Sequence, residues 1–389
     1  MEVRKLTQDE KFDARLISTL AFHFRMEDPE KQKQESMTDP VEDWGAFDDG
    51  GRLMAHILHL KYMFRFDGEW VPSGGIGAVS TLPEYRNCGA IRGIFEKLLQ
   101  SAYREGQVLS GLYPFNHAFY RKFGYEVVRW RDKYTLSPAV LSEYRFEGRA
   151  VQWQQDAPVS EYTVLYEKFA SAFNLAIRRD DKRMLEDHIK AEWSKDRRFS
   201  YMLYEEDHPV AYLSFQDVRS DSAILSVKDY AWDGGVGFRA LLGFLARFTA
   251  DYGSITISLP TCLELASVIH SPRSYDIEQS GAQNYMIRVV NVKKALEIMR
   301  KPADCSFTVQ VSDEMIPQNS GTWLVQNGQV RRTKKRPDLS ASVQALGQLA
   351  VGSVSLTEAM LREDVKVNGN AEMLSRVFVR KPILVADHY

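Results

Sequence analysis

The stretch from Ser80 to Leu99, STLPEYRNCGAIRGIFEKLL, leaves an apolar, Gly-rich strand, makes a turn that carries Arg86 and Gly89, and enters a strongly amphipathic helix. Ile91, Ile94, Phe95, Leu98 and Leu99 recur at helical spacing, so one face of that helix is committed to a core. Its beginning is then free for other work. The first N–H groups of a helix lack internal partners and the backbone dipole places partial positive charge there, so RNCGAIR can cradle an anion. Gly89 permits close backbone approach, and Arg86 and Arg92 add positive charge. Taken alone, the turn fits equally a plain strand-turn-helix whose arginines face water.

Around this turn the order is strand, turn, helix, strand, short helix, strand. Leu53 to Phe66 (LMAHILHLKYMFRF) reads as a long strand, DGEWVPSGG as a turn region, and GIGAVSTL as a second strand. His56 and His59 point to opposite faces of the first strand, which removes them as a metal pair and makes them structural. After the helix that starts near Ala90 come a strand, VLSGLYPF, ended by Pro114, a small helix, HAFYRKF, stopped by Gly124, and the strand YEVVRW.

The totals bound what this layout serves. A chain of 389 residues exceeds one ordinary core and suggests two or three domains. With 44% hydrophobic and 26% charged residues it can bury substantial cores and is not globally disordered. A net charge of −2 gives no electrostatic case for nucleic acid. The basic run RRTKKR at Arg331 to Arg336 follows a hairpin signal, Asn327-Gly328, and reads as a solvated loop or strand edge. Three widely spaced cysteines, Cys88, Cys262 and Cys305, indicate neither a disulfide framework nor a zinc site, so no metal is expected and a reducing cytoplasm fits. No apolar run approaches the roughly 18 residues of a membrane span, and the charged N-terminus does not resemble a secretion signal.

A second segment, 151–285, repeats part of the order. SYMLYEEDHPVAYLSF reads as two strands across a turn, SAILSVKDYAW as another strand, GFRALLGFLARFTADY as an amphipathic helix and SITISL as the next strand. Its turn is DGGVG, with Asp233 expected where the first copy has Arg86. A carboxylate at a helix N-terminus suits the helix but competes with a phosphate, so the second copy reads as structural. The third segment, 286–389, opens with the helix NVKKALEIM and continues with the strands CSFTVQVSD and GTWLVQNGQV. Two helices follow, SLTEAML, with Ser355 and Glu358 spaced as a capping box, and AEMLSRVF. The chain ends in RKPILVADHY, an apolar approach to the terminus that a loose tail would not need.

A strand before an R-x-x-G turn and helix, a further strand and a small helix bearing FYRKFGYE together resemble the GNAT family of acetyl-CoA-dependent N-acetyltransferases. The resemblance implies that Val79, Ser80 and Thr81 hold the pantetheine arm and thioester through their backbone. It also implies that Arg86, Asn87, Cys88, Gly89, Ala90, Ile91 and Arg92 bind the diphosphate of acetyl-CoA. Ile91 departs from the family's usual second small residue. The YPFNHAFYRKFGYE segment, a degenerate second copy, the RVVNVKKALE junction and a final part similar to sterol carrier proteins further resemble the Eis (enhanced intracellular survival) family. The implied fold class is α+β: two GNAT-like mixed α/β domains in tandem, 1–150 catalytic and 151–285 degenerate, then a sterol-carrier-like domain, 286–389, that supplies the tail.

On the same resemblance Tyr120 is the general acid and the α-carboxylate of Tyr389 the base, with Phe115 and Asn116 lining the cofactor. A phenol of ordinary pKa about 10 is a reasonable proton donor to a thiolate. The implied activity is acetyl transfer to primary amines of small polycationic molecules, by a cytoplasmic homo-oligomer, a hexamer in the family. The acidic, aromatic stretch from Phe22 to Trp44 suits a mouth for a cationic amine. A competing reading is a non-catalytic acyl-CoA or lipid-binding sensor.

Overall fold

Six strands from the first third of the chain, β1 (Glu2–Lys5), β2 (Glu42–Phe47), β3 (Leu53–Phe66), β4 (Glu69–Thr81), β5 (Leu109–Leu112) and β6 (Glu126–Arg129), enter one sheet. The strand Asn284–Val289 joins them between β5 and β6, so the sheet order is β1, β2, β3, β4, β5, 284–289, β6. These observations come from a computed structural model that describes residues 1–389 except 39–40, 156, 191–196, 220–222, 270–275, 282–283 and 389.

The long hairpin of β3 and β4 turns on Asp67 and Gly68, both at positive φ. The sequence suggested a turn across DGEWVPSGG, but Glu69 onward is already strand. Gly74 belongs in that strand because two buried side chains need its space: a Cβ there would lie 2.7 Å from Gln107 Oε1 and 2.8 Å from His59 Nε2. Helices α1 (Lys11–Phe22), α2 (Pro29–Thr38), α3 (Ala90–Arg104) and α4 (His117–Arg121) accompany the sheet. The apolar face of α3 buries Ala90, Ile94, Phe95, Leu98, Leu99 and Ala102 in one cluster with Trp44, Ile57, Ile76 and Leu112. Each large side chain so buried is worth about 1.5–3 kcal/mol, enough to fix the helix despite its exposed start.

The second sheet runs Ile277–Ser280, Arg131–Leu136, Ser254–Pro260, Ala223–Trp232, His208–Arg219, Arg198–Glu205, Arg149–Gln152. Ala223–Trp232 and Ser254–Pro260 pair in parallel across the helix Gly234–Ala246, the crossover that β4, α3 and β5 make in the first sheet. The third sheet runs Gln329–Arg332, Gly321–Gln326, Ser306–Ser312, Leu339–Ser342, Val365–Val367. Asn327 and Gly328 make its hairpin, both at positive φ, and the basic run begins on the exposed edge strand, as the sequence suggested. Ser355 and Glu358 form the expected capping box. The fold is therefore α+β, with three mixed sheets, two of which share the same parallel crossover.

By contact the chain divides into two compact units. One comprises Met1–Val128, Asn284–Lys381 and the chain from Asp387; the other is Arg129–Gln283 with Pro382–Ala386. Within the first, the helix Val343–Val351 packs on the strand Asn284–Val289, where Gly347 sits against the Ile287 carbonyl. No helix among the described residues is long and apolar enough to cross a membrane.

The strand 284–289 leaves one tight contact beside β5. Tyr285 is 1% exposed, and a Cβ on Gly111 would lie 1.7 Å from its hydroxyl oxygen. Gly111→Ala should therefore cost about 1–3 kcal/mol of unfolding free energy, read from urea melts. Tyr285→Ala should remove most of that penalty in the double variant; additive losses would refute the contact as its cause.

Candidate active site

The site begins where two parallel strands part. β4 and β5 pair from Ser73 with Leu109 to Ile76 with Leu112, and there the pairing ends. Beyond Leu112 the chain reaches Pro114, which has no N–H to donate, while β4 runs on to Thr81 held only by β3. Among the described residues, Gly77 to Thr81 thus have no strand on the β5 side. On the β3 side the ladder slips: His56 pairs with Ser80 and Leu58 with Gly77, leaving Ala78 and Val79 opposite Ile57 alone. This is a β-bulge with Ala78 at φ 49°, a left-handed conformation unusual for a residue with a Cβ. Such a bulge turns backbone groups out of the ladder.

At the end of β4 the chain makes the turn expected from the sequence. Arg86, Asn87, Cys88 and Gly89 are exposed, with Asn87 at φ 65° and Gly89 at φ 85°. Gly89 is the N-cap of α3; it brings no side-chain oxygen to the free N–H groups, and the first turn holds no acid. The helix start is therefore open to an external anion. Arg86 makes no ion pair among the described residues, whereas Arg92 pairs with Glu96 at 3.1 Å on the exposed face. Ala90 and Ile91 turn their side chains to the core, so only their backbone could meet a phosphate. That makes the departure at Ile91 harmless to the turn.

The second copy lacks this loop. Only Asp233 separates the strand end at Trp232 from the helix Gly234–Ala246. Asp233 is the N-cap, so it stands at the position of Gly89, not that of Arg86 as the sequence order suggested, and its carboxylate pairs with Lys168. Gly237 is a packing residue, since a Cβ there would lie 2.0 Å from the Val210 carbonyl oxygen.

Across the parting, Asn116 caps α4 by accepting the Phe119 N–H at 3.0 Å. Tyr120, only 3% exposed, lies in the cluster that also holds Phe95, Phe123 and Tyr125, with Val79 packed against it. Burial, with a smaller contribution from Tyr125, pushes the Tyr120 phenol well above its ordinary value. It stays protonated at any physiological pH. Its hydroxyl makes no hydrogen bond among the described residues, in contrast to that of Tyr125, which meets Ser110 Oγ at 2.8 Å. Phe115 is 69% exposed and stands edge-on to Tyr120.

The last described residues make contacts within each unit. In the second unit, Leu384 donates to the Asn174 carbonyl and Asn174 to that of Pro382, with Leu384 in the core. In the first, Tyr113 donates its hydroxyl proton to the Asp387 carbonyl at 2.7 Å and stacks on His388 at 4.7 Å. Tyr113 directly follows β5, so the last described residues lie beside the strand end that opens the site. Tyr389 itself lies outside the described residues.

The stretch from Phe22 to Trp44 divides in two. Phe22, Phe24, Glu27, Asp28 and Glu30 are exposed. Glu42 and Asp43 instead serve the fold: Glu42 meets His59, Lys5 and Lys61, hydrogen bonds from His59, Lys5 and Trp44 hold its carboxyl well below the usual range despite burial, and Asp43 lies 3.5 Å from His56. His56 also meets Ser18 Oγ at 2.8 Å, and Ser80 Oγ, opposite His56 in the ladder, is buried without a hydrogen-bond partner among the described residues. Sequence reading assigned both histidines to structure; their carboxylate neighbours come from β2 and carry no local signal. No group of three or more His, Cys, Asp or Glu that could hold a metal occurs among the described residues.

Comparison with known proteins agrees with this geometry. Residues 2–128 match the acetyltransferase (GNAT) domain family and residues 292–385 the sterol carrier protein domain family. No curated protein matches the chain. Among solved structures, a GCN5-related N-acetyltransferase from Anabaena variabilis ATCC 29413 is 19% identical with a TM-score of 0.87, each chain covered over 100%. A probable N-acyltransferase from Enterococcus faecalis V583 is 19% identical with a TM-score of 0.87, covering 100% of this chain and 99% of that one. Eis1 from Mycobacterium abscessus is 18% identical with a TM-score of 0.84, each chain again covered over 100%. At these identities the likeness is one of fold, and it runs end to end. The chain therefore carries an acetyltransferase (GNAT) domain joined to a C-terminal sterol carrier protein domain, the marks of an acetyl-CoA-dependent N-acetyltransferase, in a fold like that of Eis1.

Proposed function

We propose that this protein transfers the acetyl group of acetyl-CoA directly to primary amines of small polycationic molecules, aminoglycoside- or polyamine-like. The observation that carries the reading is the parting of β4 from β5 at Leu112, with the bulge at Ala78 and Val79 on one side and, on the other, the buried Tyr120 phenol, unbonded among the described residues. The free edge of Val79, Ser80 and Thr81 would take the pantetheine arm as an added strand. Backbone N–H groups from Arg86 to Arg92, with the Arg86 guanidinium, would hold the diphosphate, and Phe115 and Asn116 would border the arm. The backbone N–H of Val79 or Ser80 would meet the negative charge that develops on the thioester oxygen, a contribution often worth a few kcal/mol.

In this scheme the neutral amine attacks the thioester carbon and the carbon–sulfur bond breaks. Tyr120 gives its proton to the departing sulfur, and the Tyr389 α-carboxylate takes the proton lost by the amine. The docking of Asp387 and His388 on Tyr113 supports a terminus delivered to this place. Exposed Glu27, Asp28 and Glu30 beside Phe22 and Phe24 support a cationic acceptor. The reading takes the chain as three domains with limits near 150 and 285, acting in the cytoplasm as a homo-oligomer, a hexamer by resemblance, without nucleic acid. The lipid-sensor alternative is weakened because helix Val343–Val351 spends its apolar face on the strand 284–289.

Thiol release from acetyl-CoA should rise when di- and polyamines are added; a flat response across such a panel would favour the sensor. Tyr120→Phe should lower kcat by about 10²-fold or more, while its melting free energy moves by less than about 1 kcal/mol, since no hydrogen bond is lost. Equal activity in that variant would remove Tyr120 from the chemistry. Extending the chain past Tyr389, or deleting that residue, should depress kcat and leave coenzyme A affinity by calorimetry nearly unchanged; full activity would end the terminal-base assignment.

A further inference from the structure

Helix α4 has only five residues, far below the length at which a helix holds itself together in water. The position of Tyr120 is therefore set by whatever grips α4 and the chain just after it. Much of that grip comes from the C-terminal part of the molecule. Gln344 donates to the Arg121 carbonyl at 2.9 Å and Gln348 to the Val127 carbonyl at 2.7 Å, both from the helix Val343–Val351. Arg362 reaches Glu126 at 2.9 Å, and the other oxygen of that 1%-exposed carboxylate accepts from Arg121 at 2.7 Å and from the Val127 N–H at 2.9 Å. Arg362 is itself fixed by Asp364 through two contacts of 2.8 Å and by Gln348 at 3.1 Å. Between these points the fully buried Arg288 donates to the Phe123 carbonyl and to Asp313 at 2.6 Å. Asp313 is oriented in turn by the N–H groups of Met315 and Ile316 and by Asn319.

Four successive points of the segment 121–127 are thus held by side chains that arrive from more than 150 residues later in the chain. Two of them are backbone carbonyls, of Arg121 at the last residue of α4 and of Phe123 just past it. We propose that the sterol carrier protein domain serves acetyl transfer as a clamp, in which Gln344, Gln348 and Arg362, with Arg288 and Asp313, act as positioning residues that hold the Tyr120 hydroxyl at the departing sulfur. The inference rests on Tyr120 being the general acid. Its physical basis is that a displacement of about 1 Å in a reacting group can cost on the order of 10²-fold in rate.

The test uses the full-length chain with Gln344→Leu, Arg362→Met and the double variant. Single-turnover transfer is followed from acetyl-CoA and from the acetyl ester of an acidic aryl thiol, which departs without needing a proton. With acetyl-CoA, each variant should lose on the order of tenfold in rate, with coenzyme A affinity held within about twofold. With the aryl thioester, the rate should change by less than about twofold, and Arg362→Lys should recover part of the loss. Should Arg362→Met fail to fold, Gln344→Leu, at a half-exposed position, carries the comparison. Equal losses with both donors, or no loss with either, would overturn the clamp while Tyr120→Phe remained impaired. A fully active Tyr120→Phe enzyme would instead overturn the acid assignment and this inference with it.

Discussion

Two parallel strands that pair for a short distance and then separate are the constraint on which the rest of this molecule depends. Parallel pairing would ordinarily continue until both strands end, because each additional residue adds backbone hydrogen bonds at little entropic cost. Here Pro114 stops β5 from donating, and the bulge at Ala78 and Val79 turns β4 away. The result is an edge of free backbone groups inside a covered sheet, a place that an extended ligand can complete. The cost of leaving such groups unpaired is tolerated because α3 and the hairpin of β3 and β4 bury a large apolar cluster around them.

The two halves share a crossover, yet they differ in how the strand enters the helix. In the second, the strand runs almost directly into its helix, Asp233 occupies the cap, and Gly237 is required for contact with Val210. The same crossover layout can therefore carry different turns between strand and helix. Glycines at a helix start say little until their φ angles and neighbours are known. Gly89 is open and left-handed, whereas Gly237 is closed in by backbone.

The first sheet also depends on chain that is remote in sequence. Strand 284–289 separates β5 from β6, and Arg288 near its end ties the Phe123 carbonyl to Asp313. A buried guanidinium is costly unless every donor finds a partner, so this junction has a narrow range of acceptable geometries. The segment carrying Tyr120 and the docking place of the tail at Tyr113 are both built against it.

By itself the sequence determined the local pieces. The helical spacing of Ile94, Phe95, Leu98 and Leu99, the Asn327-Gly328 hairpin, the Ser355–Glu358 capping box and the loop at Arg86 to Gly89 all follow from near-neighbour chemistry, and the structure has each of them. Tertiary structure alone decided what distant parts do to one another. It placed strand 284–289 beside β5, drew Glu42 and Asp43 inward to the histidines, buried Tyr120 among aromatic rings, and showed that Gly74 belongs to a strand beside His59 and Gln107. The physical reason is one of range: periodicity and capping act over a few residues, whereas burial and the pairing of buried charges depend on partners that only the folded chain brings within reach.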